Sequence, residues 1–157
     1  MKYLFFFFAI ICSQVALGQS TQKGTVAIKG MVAAKRFVFH AQSTTTSGGD
    51  TRQLSGSYII TVLPDSIISE LPYFGRMYQA PMNSEDNGIN FTSLKFEYST
   101  KDHKKGGWDI NVKTLDVKNA PQLFMTVYPK GTASLRINCS DRQSTTYVGF
   151  IQEIGKK

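Results

Sequence analysis

The chain holds two histidines, His40 and His103, and acid–base or nucleophilic chemistry near neutral pH would start from one of them. His40 sits between Phe39 and Ala41, and His103 precedes Lys104-Lys105-Gly106-Gly107. A Ser-His-Asp arrangement is assembled in space rather than in sequence, yet no Gly-x-Ser-x-Gly elbow accompanies either imidazole. Glu85-Asp86 falls in a polar turn, and Asp65, Asp109 and Asp141 fall at turns or on the polar side of strands. Glycoside hydrolysis needs two acids facing each other across a cleft, and no spacing here suggests that. Asn83-x-Glu85-x-Asn87-Gly88 copies the opening of a calcium loop, but its twelfth position is Leu94, where the bidentate acid belongs. Zinc would want more than two separated histidines and Cys139, since Cys12 lies in the apolar N-terminal run. The expectation is therefore no catalytic residue, no metal and no cofactor, and a protein that is not an enzyme.

The residues left with chemical potential are aromatic. Ser66 to Pro81 starts as a strand, breaks at Pro72, and then carries Tyr73, Phe74, Gly75, Arg76 and Tyr78 before Pro81. Such rings are costly to leave in water, so the segment should pack against something. Two readings stand. As a plug, Tyr73, Phe74 and Tyr78 fold over one end of a sheet. As the lip of a binding site, they leave Arg76 to pair with an anionic group. The candidate ligand- or partner-binding residues are Tyr73, Phe74, Arg76, Tyr78 and Trp108.

Lys2, an apolar run from Tyr3 to Ile11, and Ala16-Leu17-Gly18 read as a secretory signal peptide over residues 1–18. Its apolar part is too short to span a bilayer. Ile10 and Ile11 before Cys12 lack the small residue that a lipidated cysteine needs. Removing the leader leaves Cys139 alone, so no intramolecular disulfide is expected despite an oxidising destination. Cys139 ends an alternating apolar segment and reads as a buried, inert thiol. The net charge of +7 is spread over a chain in which 18% of residues are charged. That is not a polybasic face, and nucleic acid is not an expected partner.

The elements that must position these residues are mostly strands. Residues 22–35 read as a short amphipathic helix. Strands are expected over Phe37–Gln42, Leu54–Leu63, Ile67–Leu71, Ile89–Phe91, Lys95–Thr100, Trp108–Lys113, Leu123–Tyr128, Thr132–Ser140 and Thr145–Ile151. Thr44 to Asp50 reads as a polar loop, Asn83 to Gly88 as a second polar turn, and Leu115 to Pro121 as a connector. Turn signals every eight to twelve residues, by the spacing rule for all-β folds, indicate an antiparallel meander closing toward a small barrel or sandwich. Tyr58 to Leu63 and Leu123 to Tyr128 are apolar on both faces, which requires either a cover or a cavity. The single domain spans residues 19–157.

Leu71-Pro72-Tyr73-Phe74-Gly75-Arg76, Ala80-Pro81, Phe96/Tyr98 and Lys105-Gly106-Gly107-Trp108 together resemble the secreted bacterial proteins catalogued as domain of unknown function 4251. Phe37-Val38-Phe39, Pro64-Asp65-Ser66 and the Tyr147 to Phe150 strand fit the same pattern, so the resemblance covers nearly all of the chain after the leader. It implies a Gram-negative periplasmic or exported single-domain protein and implies no activity or site residues. The expected function is a non-enzymatic periplasmic binding or envelope-associated module, whose candidate partners are another envelope protein or a small apolar ligand. The alternative is a carrier of a small apolar ligand with an internal cavity, and a cryptic hydrolase ranks behind both. After removal of the leader, no integral membrane segment is expected.

Overall fold

The structure, a computed structural model, describes residues 16–78 and 88–155. The leader reading therefore lies for the most part outside the described residues, as do the calcium-like turn and Ala80-Pro81. Among the described residues one helix, α1 (Ala16–Ala33), precedes nine strands: β1 (Phe37–Thr46), β2 (Thr51–Val62), β3 (Ile67–Pro72), β4 (Gly88–Ser93), β5 (Phe96–Asp102), β6 (Trp108–Thr114), β7 (Gln122–Val127), β8 (Thr132–Asn138) and β9 (Thr145–Gln152). All lie in a single antiparallel sheet of order β4-β3-β2-β1-β9-β8-β7-β6-β5 that curls into a nearly closed barrel. The expected meander is present, and the last strand pairs with the first.

The two edge strands are neighbours in sequence, joined only by Leu94 and Lys95. Every step round the sheet is antiparallel, and an even number of steps separates β4 from β5, so both run in the same direction. They are two halves of one bent strand, the first paired with β3 and the second with β6. Followed both ways round from β1, His40 is level with Asn90 while adjacent Ala41 is level with Asp102. The two circuits thus meet about a dozen residues out of step, the stagger of a strongly tilted barrel. The elbow is held by Asp116, whose carboxylate accepts the Ser93 hydroxyl at 2.5 Å and the Leu94 and Lys95 N–H groups at 2.7 and 3.0 Å. Those bonds, the Ser93 hydroxyl foremost, hold the Asp116 carboxyl below the usual carboxylate range.

Side chains alternate across the wall and fill the interior. Tyr147, Phe37, Phe39, Ile60, Ile67 and Leu71 are its largest fully buried members. A barrel of this strand number is just wide enough for its own side chains. Behind residues 58–63 and 123–128 the space is taken by Ile60, Val62, Leu123, Met125 and Val127. The outer face of residues 123–128 has no cover, since Phe124 and Tyr128 stand exposed, while Ile59 and Leu63 are half-buried on the outer face of residues 58–63. Thr44 and Thr145, both buried, satisfy each other at 3.1 Å. Gly149 lets β1 and β9 approach, because a Cβ there would run into the His40 carbonyl. Beside it the β1 register shifts between Ala41 and Ser43.

Several boundaries differ from expectation. The loop expected from Thr44 is strand through Thr46, because Thr44 is drawn into the core. Pro72 ends β3 rather than breaking ahead of it. The β2 pairing stops at Glu70, so only β4 flanks Pro72 and no ladder bond is lost. The helix starts at Ala16 and stops at Ala33, where Lys35 at φ 52° turns the chain and Arg36 N–H bonds the Met31 carbonyl at 3.0 Å. Its Ile28 and Val32, one turn apart, are buried at one mouth of the barrel. There Thr25 donates to the Pro129 carbonyl at 3.4 Å and the Tyr98 hydroxyl to the Val32 carbonyl at 3.0 Å. No helix among the described residues is long and apolar enough to cross a membrane.

Candidate functional site

The opposite mouth is closed by the aromatic segment. After Pro72 the chain turns inward and buries Tyr73, whose hydroxyl proton is shared between the carbonyls of Arg76 (2.8 Å) and Gln143 (3.0 Å). Gly75 makes this possible, because a Cβ there would collide with the Tyr73 ring. Tyr147, fully buried in β9, donates to the Pro72 carbonyl at 2.6 Å. Residues 76–78 then lie along the β8–β9 turn: Gln143 N–H bonds the Arg76 carbonyl, Tyr78 N–H bonds the Asp141 carbonyl, and Met77 bridges Arg142.

Beneath this loop is a charge cluster. Arg142 donates to both carboxylate oxygens of Asp141 (2.9–3.2 Å) and to the Gly88 carbonyl (2.7 Å), and its guanidinium stands 5.1 Å from the centre of the Tyr73 ring. Asn119 donates to the same Asp141 at 3.0 Å from a connector where it and Ala120 both take positive φ. The pair is nearly enclosed, with side chains 9% and 13% exposed. Burial works against the Arg142 charge, but Asp141 more than offsets it and raises its pKa. Cys139 lies beside the cluster, one residue beyond β8 and half-buried rather than fully so. Burial pushes its thiol up to about 11, against the pull of Arg142, so it stays protonated and unreactive at neutral pH.

Above the plug the rim is exposed. Phe74 is 42% exposed with the Arg52 guanidinium 5.1 Å from its ring centre, and Tyr78 is 67% exposed. The Arg76 side chain also points to solvent. Phe74, Arg76, Asp50, Thr46, Ser47 and Gln143 are among the residues lining a surface cleft of about 430 Å³. The plug and the lip thus divide one segment, Tyr73 serving as the plug and Phe74, Arg76 and Tyr78 forming the lip. Trp108 does not join them; it starts β6, paired with Asp102 and Val127.

Sequence reasoning missed Asp141, Arg142, Asn119, Tyr147 and Arg52. Tyr147 had a signal, since it shares strand parity with Gly149 and Ile151. Arg142 had none, being one residue of a turn until the fold lays residues 73–78 across it. The histidines are placed apart. His40 stacks on Phe150 across β1 and β9 at 5.1 Å. His103 bonds Asp109 through Nδ1 at 3.0 Å, and Thr126 donates to the same carboxylate oxygen at 2.8 Å. Burial opposes the Asp109 charge, but the Thr126 and His103 bonds outweigh it and lower its pKa. Neither imidazole has a hydroxyl within hydrogen-bond reach among the described residues, and no group of three metal-ligating side chains is found there.

Fold and rim define a small staggered meander barrel, stoppered by a helix at one mouth and by a tyrosine loop at the other. The chain belongs to the family described as domain of unknown function 4251 (DUF4251), whose model matches residues 19–151. The crystal structure of a DUF4251 family protein from Bacteroides eggerthii DSM 20697 is similar, with a TM-score of 0.63 and 17% identity over 88% of this chain and 91% of that one. That likeness concerns the fold alone. No curated protein matches the chain.

Proposed function

We propose that this protein is a non-enzymatic binding module of the bacterial envelope, and that the rim of Phe74, Arg76 and Tyr78 with Arg52 takes another envelope protein. The observation that carries this reading is Phe74, a phenyl ring held in solvent under a guanidinium on a barrel whose interior is already filled. Aromatic and arginine side chains are enriched where proteins meet. The basic residue, apolar run and Ala16-Leu17-Gly18 support export, with the processed chain starting at Gln19. The test is a photo-crosslinking amino acid at position 74, and separately at position 40 on a distant wall, in the native bacterium. A discrete adduct from position 74 only, in a periplasmic fraction whose chain starts at Gln19, is the expected result. No adduct at position 74, or a chain retained in the cytoplasm, overturns the reading.

One observation favours the carrier reading. A groove of about 780 Å³ lies between α1 and the barrel mouth, lined by Ala27, Ile28, Met31, Ala34, Pro129 and Ile151 among others. Its size and apolar lining suit a small ligand, although it sits outside the barrel rather than within it. Native mass spectrometry of the periplasmic protein separates the readings: a retained small mass supports the carrier, and a bare chain mass supports the rim.

A further inference from the structure

The bent strand leaves one edge open. β5 pairs with β6 on one side, and no strand runs along its other side among the described residues. Glu97 and every residue from Ser99 to Asp102 are exposed. Within the β5–β6 hairpin, His103 N–H bonds the Gly107 carbonyl at 3.0 Å, which sets the ladder alternation. Lys101, Ser99 and Glu97 then exchange backbone bonds with Asp109, Asn111 and Lys113. Phe96, Tyr98, Thr100 and Asp102 aim their N–H and C=O groups away from β6. Unpaired edges of this kind invite another strand, and native chains usually repel their own copies with like charges there.

The charges on this edge do the reverse. We propose that β5 is the docking edge for a second copy of this chain, paired antiparallel about a two-fold axis through Ser99. That register places Glu97 of each copy opposite Lys101 of the other, both outward-facing and at a non-hydrogen-bonded pair, where side chains come closest. Tyr98 and Thr100 then exchange backbone bonds across the axis. Cross-strand neighbours extend the pattern, because Lys113 lies opposite Glu97 and Asp109 opposite Lys101. Each outer row across the joined sheets reads Lys113, Glu97, then Lys101 and Asp109 of the second copy, with charges alternating throughout. The centred row is Asn111 and Ser99 against their own counterparts. Shifting the axis to Thr100 would set Lys101 against Ser99 and lose both pairs, so charge selects the register. The dimer is isologous and closes on itself. It uses β5 rather than the 73–78 rim, so it stands or falls independently of the proposed envelope function.

The test is sedimentation of protein purified from expression of the full chain. The wild type is expected to show a concentration-dependent monomer–dimer equilibrium. Glu97→Lys and Lys101→Glu, each facing like charge across the axis, should weaken it roughly tenfold, and the double exchange should restore it. Thr100→Pro removes an edge-directed N–H at a position where an edge strand tolerates proline, and should leave a folded monomer by circular dichroism. With Cys12 and Cys139 both replaced by Ser, Ser99→Cys should form an intermolecular disulfide under mild oxidation, since Cα atoms at such a pair lie about 4.5 Å apart, while Lys101→Cys should not. A wild type that stays monomeric to about 1 mM overturns the proposal. So does association unmoved by either charge reversal, or cross-linking of Lys101→Cys in place of Ser99→Cys.

Discussion

The two mouths of the barrel are closed by different physics. At one, α1 lays Ile28 and Val32 over the core and ties itself down with two side-chain hydrogen bonds, from Thr25 and Tyr98. At the other, Arg142, Asp141 and Asn119 form a connected polar cluster against the Tyr73 ring, and Tyr73 and Tyr147 tie down the loop backbone. An apolar lid is held by area, and losses there should be graded and local. A buried polar network is held by mutual satisfaction, so removing one member strands its partners. The helix mouth should therefore loosen by degrees and the loop mouth should fail as a unit.

The largest expected effect is at the loop mouth. Arg142→Ala leaves the Asp141 carboxylate nearly enclosed without its guanidinium and should cost about 3–5 kcal/mol in urea unfolding. Adding Asp141→Asn should recover part of that loss; simple additivity of the two would break the network picture. Ile28→Ala at the helix mouth should cost about 2–4 kcal/mol. Its signature in hydrogen exchange should be faster exchange over residues 24–33 with barrel protection unchanged. Equal loosening of both mouths would erase the distinction between them.

Alkali acts on both mouths. Burial raises the phenol pKa of Tyr98 at the helix and of Tyr73 and Tyr147 at the loop, and Cys139 is raised to about 11. A group whose folded pKa is raised contributes stability that is complete below its unfolded value and is lost as pH rises toward the folded one. Urea midpoints should therefore hold near neutrality and fall above roughly pH 9, by at most about 1.4 kcal/mol per pH unit for each group. Tyr98→Phe and Tyr147→Phe should each flatten the fall, and an unchanged alkaline slope in both would contradict the assignment. Tyr73→Phe at neutral pH should cost about 1 kcal/mol. Smallest of all, Phe74→Ala and Arg76→Ala should each move stability by no more than about 0.5 kcal/mol, while Arg76→Ala should abolish the partner adduct formed from position 74. A large stability loss in either would make the rim part of the plug.

Much of the wall was legible because strand alternation is local: Trp108, Ile110 and Val112 against Asp109, Asn111 and Lys113 reads the same in sequence and in structure. The plug was legible in part, since Pro72 and the tight spacing of rings marked a segment that had to bury something. Which ring would be buried was not, because that depends on Gly75 and on a β8–β9 turn some seventy residues away along the chain. Thr44 shows the opposite failure: its local polarity said loop, while Thr145 on the neighbouring strand β9 supplied the hydroxyl that let it enter the core. The bent strand was hidden for a similar reason. Ile89–Phe91 and Lys95–Thr100 read as two strands, and only the register round the whole sheet shows that they continue one another.

The seam between β1 and β9 joins residues 38–46 to residues 145–152. A ribosome delivers these two partners at opposite times, so the first strand emerges with one flank bare and waits for nearly the entire chain. Closing so long a loop before its contacts reward it makes folding slow relative to synthesis. Whatever holds the early strands apart meanwhile has only to act until the final strand arrives, at which moment the wall becomes continuous across that gap.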